Sequence, residues 1–160
     1  MRMSRRMVAY ASSKMPWLYD SGAENTDVTG GLTAYAYVPS TSGSNLKAPT
    51  VTKNTSSLKL YVANASGGLG GSYFTEEKVN LTRARTMKIE VSDLVSSNNY
   101  VRMGASATKA NKFTVAAGKT ISETGTISLD VSSLSGDYYL FITLYGSGVK
   151  SITFTKWWLE

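Results

Sequence analysis

The C-terminal stretch from residue 128 to 160 restricts this chain to a β-rich fold more strongly than any other segment. It contains two apolar runs, Tyr138–Tyr145 and Ser151–Leu159, that are rich in aromatic and β-branched residues. Such residues favour strands, and the short Gly146-Ser147-Gly148 link between the runs is typical of a β-hairpin. We therefore predict a C-terminal hairpin at the centre of a β-sandwich, with the earlier strands packed against it.

Three earlier segments alternate apolar and polar residues with a period of two. They are Leu58–Val62, Thr86–Val91 and Thr126–Val131. This alternation places one face of each strand in a core and the other in solvent. Turn-rich segments separate the strands and no helical periodicity intervenes, so the pattern predicts an all-β, antiparallel β-sandwich with jelly-roll topology. At 160 residues the chain suits one domain, which we place at residues 16–160 after an N-terminal extension, residues 1–15.

The last predicted strand contains a break in phase. Ile152 and Phe154 share one face of an ideal strand, whereas Trp157 and Leu159 share the other. A β-bulge near residues 155–156 would turn all four side chains inward. Without the bulge, one tryptophan would be exposed.

The segment Ala116–Thr120 resembles the end of a phosphate-binding loop. The motif needs a glycine where this chain has Phe113, and no helix follows to hold a phosphate. We predict a hairpin turn here instead, preceded by a short strand at Lys112–Val115. A second glycine-rich segment, Gly67–Gly71, is predicted to be a flexible surface loop.

The N-terminal extension carries most of the net charge of +6. Without its four basic residues, 13 basic and 11 acidic side chains are left, so the predicted domain is nearly neutral. The extension is predicted to be either a short helix or a disordered arm that orders against a partner, and we favour a protein over nucleic acid as that partner. The residues of this partner-binding arm are Arg2, Arg5, Arg6, Met7, Tyr10 and Lys14.

The arm does not fit a signal peptide, because its apolar part, Met7–Ala11, is shorter than the ~7–15 residues of a signal-peptide core. No run approaches the ~18 apolar residues of a membrane span. We therefore predict no membrane association.

The chain has no His and no Cys, which removes the commonest general base, nucleophile and metal ligands. We predict no enzymatic activity, no catalytic residues and no cofactor. The acidic residues Asp20, Glu24 and Asp27 cluster early and would offer three oxygen ligands to a calcium ion, but a solvated turn is the favoured interpretation.

Several aromatic residues fall on the predicted outer faces of strands. Alternation turns Tyr139, Phe141 and Tyr145 outward on their strand, and Tyr61 lies on the polar side of its own. Exposed aromatic rings can stack on sugars or anchor a protein interface. We name Tyr61, Tyr139 and Phe141 as candidate glycan-stacking residues, with ordinary core packing on both faces of the central strand as the alternative.

Several short motifs, taken in their order along the chain, resemble those of a family of small β-sandwich modules. They include Trp17-Leu18-Tyr19-Asp20, Asp27-Val28-Thr29-Gly30-Gly31, Leu129-Asp130-Val131-Ser132-Ser133-Leu134 and Ile152-Thr153-Phe154-Thr155-Lys156-Trp157-Trp158-Leu159. This order is similar to a jelly-roll or β-sandwich module of tail and other virion proteins from phages and prophages of Gram-positive bacteria. The resemblance covers residues 17–160 and brings no catalytic motif.

The resemblance implies a non-enzymatic structural protein located in the virion. Its partners would be other virion proteins of the capsid, neck or tail, and it would act as a homo-oligomer or in multiple copies, anchored by the arm. The alternative function is a carbohydrate-binding adhesin that recognises host cell-wall glycan. Both functions are compatible with one surface-displayed domain.

Overall fold

The structure, a computed structural model, describes residues 15–40, 46–63, 69–96 and 101–160. Within these ranges the chain forms thirteen strands in two antiparallel sheets and one single-turn helix, α1, at Thr26–Thr29. The predicted all-β, antiparallel sandwich is confirmed. The chain passes repeatedly from one sheet to the other, as a jelly roll does. No helix in the described ranges is long and apolar enough to cross a membrane.

The first sheet, sheet A, has seven strands in the described part of the chain. Its order is β11-β8-β13-β1-β2, and β5 pairs with β13 beside β1 and carries β4 on its other edge. The strands are β1 (Trp17–Asp20), β2 (Ala23–Glu24), β4 (Thr50–Lys53), β5 (Leu58–Val62), β8 (Thr86–Ser96), β11 (Gly125–Asp130) and β13 (Lys150–Leu159).

The second sheet, sheet B, has six strands over the same ranges. Its order is β10-β9-β12-β6-β3, and the short β7 pairs with β12. The strands are β3 (Leu32–Tyr35), β6 (Leu69–Thr75), β7 (Val79–Asn80), β9 (Val101–Ser106), β10 (Ala117–Ile121) and β12 (Asp137–Gly146).

The two C-terminal strands are central, as predicted, but they do not form a hairpin. β12 pairs with β9 and β6 in sheet B, whereas β13 pairs with β8, β1 and β5 in sheet A. The glycine-rich link between them therefore crosses from one sheet to the other. Gly146 and Gly148 have φ values of 106° and 87°, which favour glycine and allow the sharp turn.

The main core lies between the sheets and follows the alternation seen in the sequence. β13 contributes Ile152, Phe154, Trp157 and Leu159, each exposed by 1% or less. The pairing of β13 with β8 shifts register between Phe154 and Lys156, so Thr155 is the bulged residue. The predicted bulge is therefore confirmed, and it turns all four apolar side chains inward.

Two predictions for short segments are wrong. Residues 117–121 form the edge strand β10 of sheet B instead of a turn, and residues 112–115 form no strand, although Phe113 makes an isolated bridge to Pro39. β10 lies at the edge of the sheet, where it pairs along its length only with β9, and its side chains are largely exposed or half-buried. Its sequence therefore lacks the apolar residues by which a buried strand is recognised.

Gly70 and Gly71, predicted to lie in a flexible loop, belong to β6. A side chain at Gly71 would lie 2.2 Å from the backbone oxygen of Lys47 and 2.8 Å from that of Tyr35. Glycine is therefore required because two backbone segments approach the strand closely.

Candidate functional site

The outer face of sheet A carries two tryptophans side by side. Trp17 in β1 and Trp158 in β13 are directly opposite residues of an antiparallel pair, so their side chains project from the same face. The neighbours Trp157 and Leu159 are buried, which fixes Trp158 as outward-facing. Trp17 is 38% exposed and Trp158 is half-buried. We call Trp17 and Trp158 the tryptophan platform.

Charged side chains surround the platform and hold Trp158 in place. The Nε1 of Trp158 donates a hydrogen bond to Glu160 Oε1 at 3.0 Å, and Lys88 Nζ lies 2.5 Å from Glu160 Oε2. Lys156 Nζ lies 5.3 Å from the Trp158 ring centroid and 3.4 Å from Asp20 Oδ2. The hydrogen bond from Lys88 is the main cause that lowers the pKa of Glu160, so this carboxylate is ionised at neutral pH.

The platform therefore combines flat apolar rings with exposed hydrogen-bonding groups. Indole rings offer a broad apolar surface to a ligand, while ammonium and carboxylate groups at its edge can bind hydroxyls. This arrangement suits a ligand that is apolar on one face and rich in hydroxyls at its periphery. A sugar ring has this character.

The outer face of sheet B is organised differently, around a second apolar cluster. Phe74, Phe113 and Phe141 are each exposed by 1% or less, and their ring centroids lie 4.8–5.5 Å apart. Phe74 and Phe141 project from the sheet, and Phe113 covers them from the segment 107–116. This part of sheet B is therefore closed to solvent.

An ion pair fastens the covering segment at its edge. Lys109 Nζ lies 2.5 Å from Glu76 Oε2 and also donates to the Glu76 backbone oxygen at 3.2 Å. Tyr35 donates its hydroxyl to Glu76 Oε1 at 2.6 Å. Burial raises the pKa of Glu76, but the hydrogen bonds from Lys109 and Tyr35 outweigh it and hold the pKa at about 2. Tyr139 is half-buried beside this ion pair, with Lys109 Nζ 5.3 Å from its ring centroid.

The three candidate stacking residues do not form one surface. Tyr139 and Phe141 lie on sheet B, whereas Tyr61 lies on the outer face of sheet A and is 36% exposed. Phe141 points to the predicted face but is 0% exposed, so the alternative of core packing applies to it. Tyr61 and Tyr139 keep their stacking role as a prediction only.

The other predicted sites differ in what the structure describes of them. The arm residues Arg2, Arg5, Arg6, Met7, Tyr10 and Lys14 lie outside the described residues. Among the described residues, no group of three acidic side chains is arranged to hold a metal ion, so Asp20, Glu24 and Asp27 form no such group. Asp20 pairs with Lys156, and Glu24 pairs with Lys53 at 2.8 Å and accepts a hydrogen bond from Tyr73.

The tryptophan platform was not predicted from the sequence, although a signal for it was present. The bulge that brings Trp157 inward also sends Trp158 outward, and Trp17 begins a predicted strand. The pairing of β1 with β13 could not be deduced from alternation, because 140 positions separate the two residues in the chain.

Comparisons with known proteins give little for assigning this site. No protein-family profile and no curated protein matches the chain. Among solved structures, the chain is similar to CBM86, a low-affinity xylan-binding module from the gut symbiont Roseburia intestinalis, with a TM-score of 0.45 and 11% identity. The match covers 79% of this chain and 94% of the other.

Proposed function

We propose that this protein is a non-enzymatic, glycan-binding β-sandwich whose binding surface is the outer face of sheet A around the tryptophan platform. The observation that carries the proposal is the register that places Trp17 directly opposite Trp158 on this face. The central strand β13 bears one member of the pair, and both its edges are hydrogen-bonded to neighbours. A rigid sheet holds both rings without a cost in ordering a loop on binding.

The groups around the platform support a sugar as the ligand. Lys156, Lys88 and Glu160 place ammonium and carboxylate groups beside the rings. Each can exchange its present contact for a hydrogen bond to a hydroxyl, because these surface ion pairs are partly exposed and contribute little to stability. Binding on an open face of this kind leaves much of the ligand in solvent, so we expect modest affinity.

The test is binding to a glycan array, followed by affinity electrophoresis with each soluble polysaccharide that scores. Trp17→Ala and Trp158→Ala are each expected to weaken binding about tenfold, or about 1.4 kcal/mol. Tyr139→Ala is the matched control, because it removes an aromatic ring from sheet B. Near-ultraviolet circular dichroism of all three variants verifies that the sandwich is intact.

Two results would count against glycan binding at this face. One is a wild-type protein that binds no glycan at millimolar concentration. The other is a Tyr139→Ala variant that loses as much binding as the tryptophan variants, since this would move the site to sheet B.

The virion location stays a prediction from the sequence resemblance. A protein displayed on a particle would present the platform to host glycans, so the two proposals are compatible. Rebinding of purified protein to stripped particles tests it, and loss of rebinding on deletion of residues 1–15 is the expected result. Equal rebinding by the truncated protein would contradict anchoring by the arm.

A further inference from the structure

A second site of exposed apolar side chains, which we call the second contact, lies at the end of the outer face of sheet A that is far from the tryptophan platform. Tyr61 in β5 and Val95 in β8 are both opposite Ser151 of β13, so the three form one row across the sheet. Leu60 and Val62 are buried in the core, which turns Tyr61 outward. Tyr61 is 36% exposed and Val95 is 43% exposed.

Exposed apolar side chains are concentrated on this face. Within the described ranges, four large hydrophobic residues are exposed, and three of them, Trp17, Tyr61 and Val95, project from the outer face of sheet A. Single exposed apolar residues are ordinary on a protein surface, but their placement at both ends of one sheet face is informative.

The two apolar ends are joined by a polar track along β13. Trp158 lies seven positions after Ser151 in β13, which corresponds to roughly 20 Å of strand once the bulge is allowed for. Thr153 lies between them, with Lys59 and Asp93 opposite it on the neighbouring strands. Because the side chain of Thr153 is small, it does not project far from the sheet. The track is therefore shallow and is lined with hydrogen-bonding groups.

The charges on this face are nearly balanced. On β1, β5, β8 and β13 and the residue after β13, three outward lysines face four outward carboxylates: Lys59, Lys88, Lys156, Asp20, Glu90, Asp93 and Glu160. Such a surface does not attract an acidic polymer, which needs a basic stripe. It favours an uncharged ligand.

We infer that this face binds an extended, uncharged oligosaccharide chain that lies along β13 and is held at two places. The tryptophan platform stacks on one sugar, Tyr61 stacks on another farther along the chain, and the polar track between them binds hydroxyls. The inference rests on the proposed function and specifies its ligand. A protein partner fits less well, because the apolar contacts are separated by polar rows instead of forming the continuous apolar centre of an interface.

The experiment measures affinity against ligand length. Isothermal titration calorimetry is run with neutral xylo-, cello-, manno- and chito-oligosaccharides, from disaccharides to octasaccharides. Wild-type affinity is expected to rise with length until the chain reaches both contacts. Tyr61→Ala should weaken binding of the longest ligands by roughly threefold to tenfold and leave the shortest ones unchanged.

Two controls separate stacking from other effects. Tyr61→Phe keeps the ring and should retain the length dependence, whereas Trp17→Ala should weaken binding at every length. Equal affinity of Tyr61→Ala and wild type for octasaccharides would contradict the second contact but would not contradict binding at the tryptophan platform. Tighter binding of polygalacturonate than of every neutral chain would overturn the uncharged ligand.

The same data distinguish this inference from the proposed function. If wild type binds short and long ligands alike and Trp17→Ala binds none, the platform is the site and the second contact is wrong. If wild type binds no glycan of any length or charge, the proposed function fails, and the inference fails with it.

Discussion

Glu76, which directly follows β6 of sheet B, has both a charged and a hydroxyl partner. It accepts hydrogen bonds from Lys109 and Tyr35, and its carboxylate is partly buried between them. Its pKa of about 2 lies below the ordinary value of 4.5, so the folded state binds this proton less readily than the unfolded chain does. The ion pair therefore adds stability above about pH 4.5, and this contribution is lost as the pH falls toward 2.

Replacing Glu76 should reduce the acid sensitivity of the fold. In Glu76→Gln, the free energy of unfolding should be lower than in wild type at pH 7, and the difference should shrink between pH 4.5 and 2.5. Urea unfolding at a series of pH values measures this. Glu77→Gln is the neighbouring control, since Glu77 is exposed. A constant difference between Glu76→Gln and wild type across this range would contradict the pKa.

Individual residues also show what alternation predicts and what it does not. The sequence pattern identified the face on which Phe141 lies, because neighbours in a strand point to opposite sides. It did not reveal that Phe113, 28 positions earlier, covers that face. The burial of Phe141 on the outer face depends on the segment 107–116, which has no strand periodicity. The sequence of such a segment does not predict that it will cover the face of a sheet.

At the scale of elements, the link between β12 and β13 was the main error of sequence interpretation. A short glycine-rich link between two apolar runs fits a hairpin and a crossing between sheets equally well. Lys150, which is 0% exposed, supports the crossing by donating from Nζ to the backbone oxygens of Ser147 at 2.6 Å and Gly148 at 3.1 Å. Burial lowers the pKa of Lys150. Lys150, the first residue of β13, is therefore buried with its ammonium group bound to the backbone of the link, which alternation alone did not indicate.

The covering segment 107–116 should contribute strongly to stability. Phe113→Ala removes the ring that packs on Phe74 and Phe141, and we expect a loss of about 3 kcal/mol in the free energy of unfolding. Urea unfolding measures the loss, and Phe113→Leu is the control that keeps most of the apolar volume. Glycan binding should be unchanged in Phe113→Ala at a temperature where the variant is folded, because the platform lies on the other sheet.

Strand β6 should not tolerate a side chain at Gly71. Gly71→Ala places a methyl group against the backbone oxygens of Lys47 and Tyr35, and backbone atoms cannot move aside cheaply. We expect a loss of about 2 kcal/mol or more in the free energy of unfolding. Gly118→Ala is the matched control, since the atoms nearest to a methyl group there belong to the far end of the flexible Arg102 side chain and none is a backbone oxygen. An equal loss in both variants would show that the close approach of residue 47 is not the cause.

The two outer faces of the sandwich differ in what they present to solvent. Sheet B is closed by Phe113 and fastened by the ion pair of Lys109 and Glu76, whereas sheet A presents the tryptophan platform and Tyr61 to solvent. The sandwich, its antiparallel sheets and the bulge in β13 could be predicted from local alternation. The platform could not, because it depends on the pairing of the first strand with the last.

The most direct test of glycan binding through sheet A is affinity electrophoresis of wild type, Trp17→Ala and Tyr139→Ala in gels containing one polysaccharide that the array identifies. Wild type and Tyr139→Ala are expected to be retarded equally, and Trp17→Ala is expected to be retarded much less, in keeping with about tenfold weaker binding. Retardation of Trp17→Ala to the same extent as wild type would contradict glycan binding through sheet A.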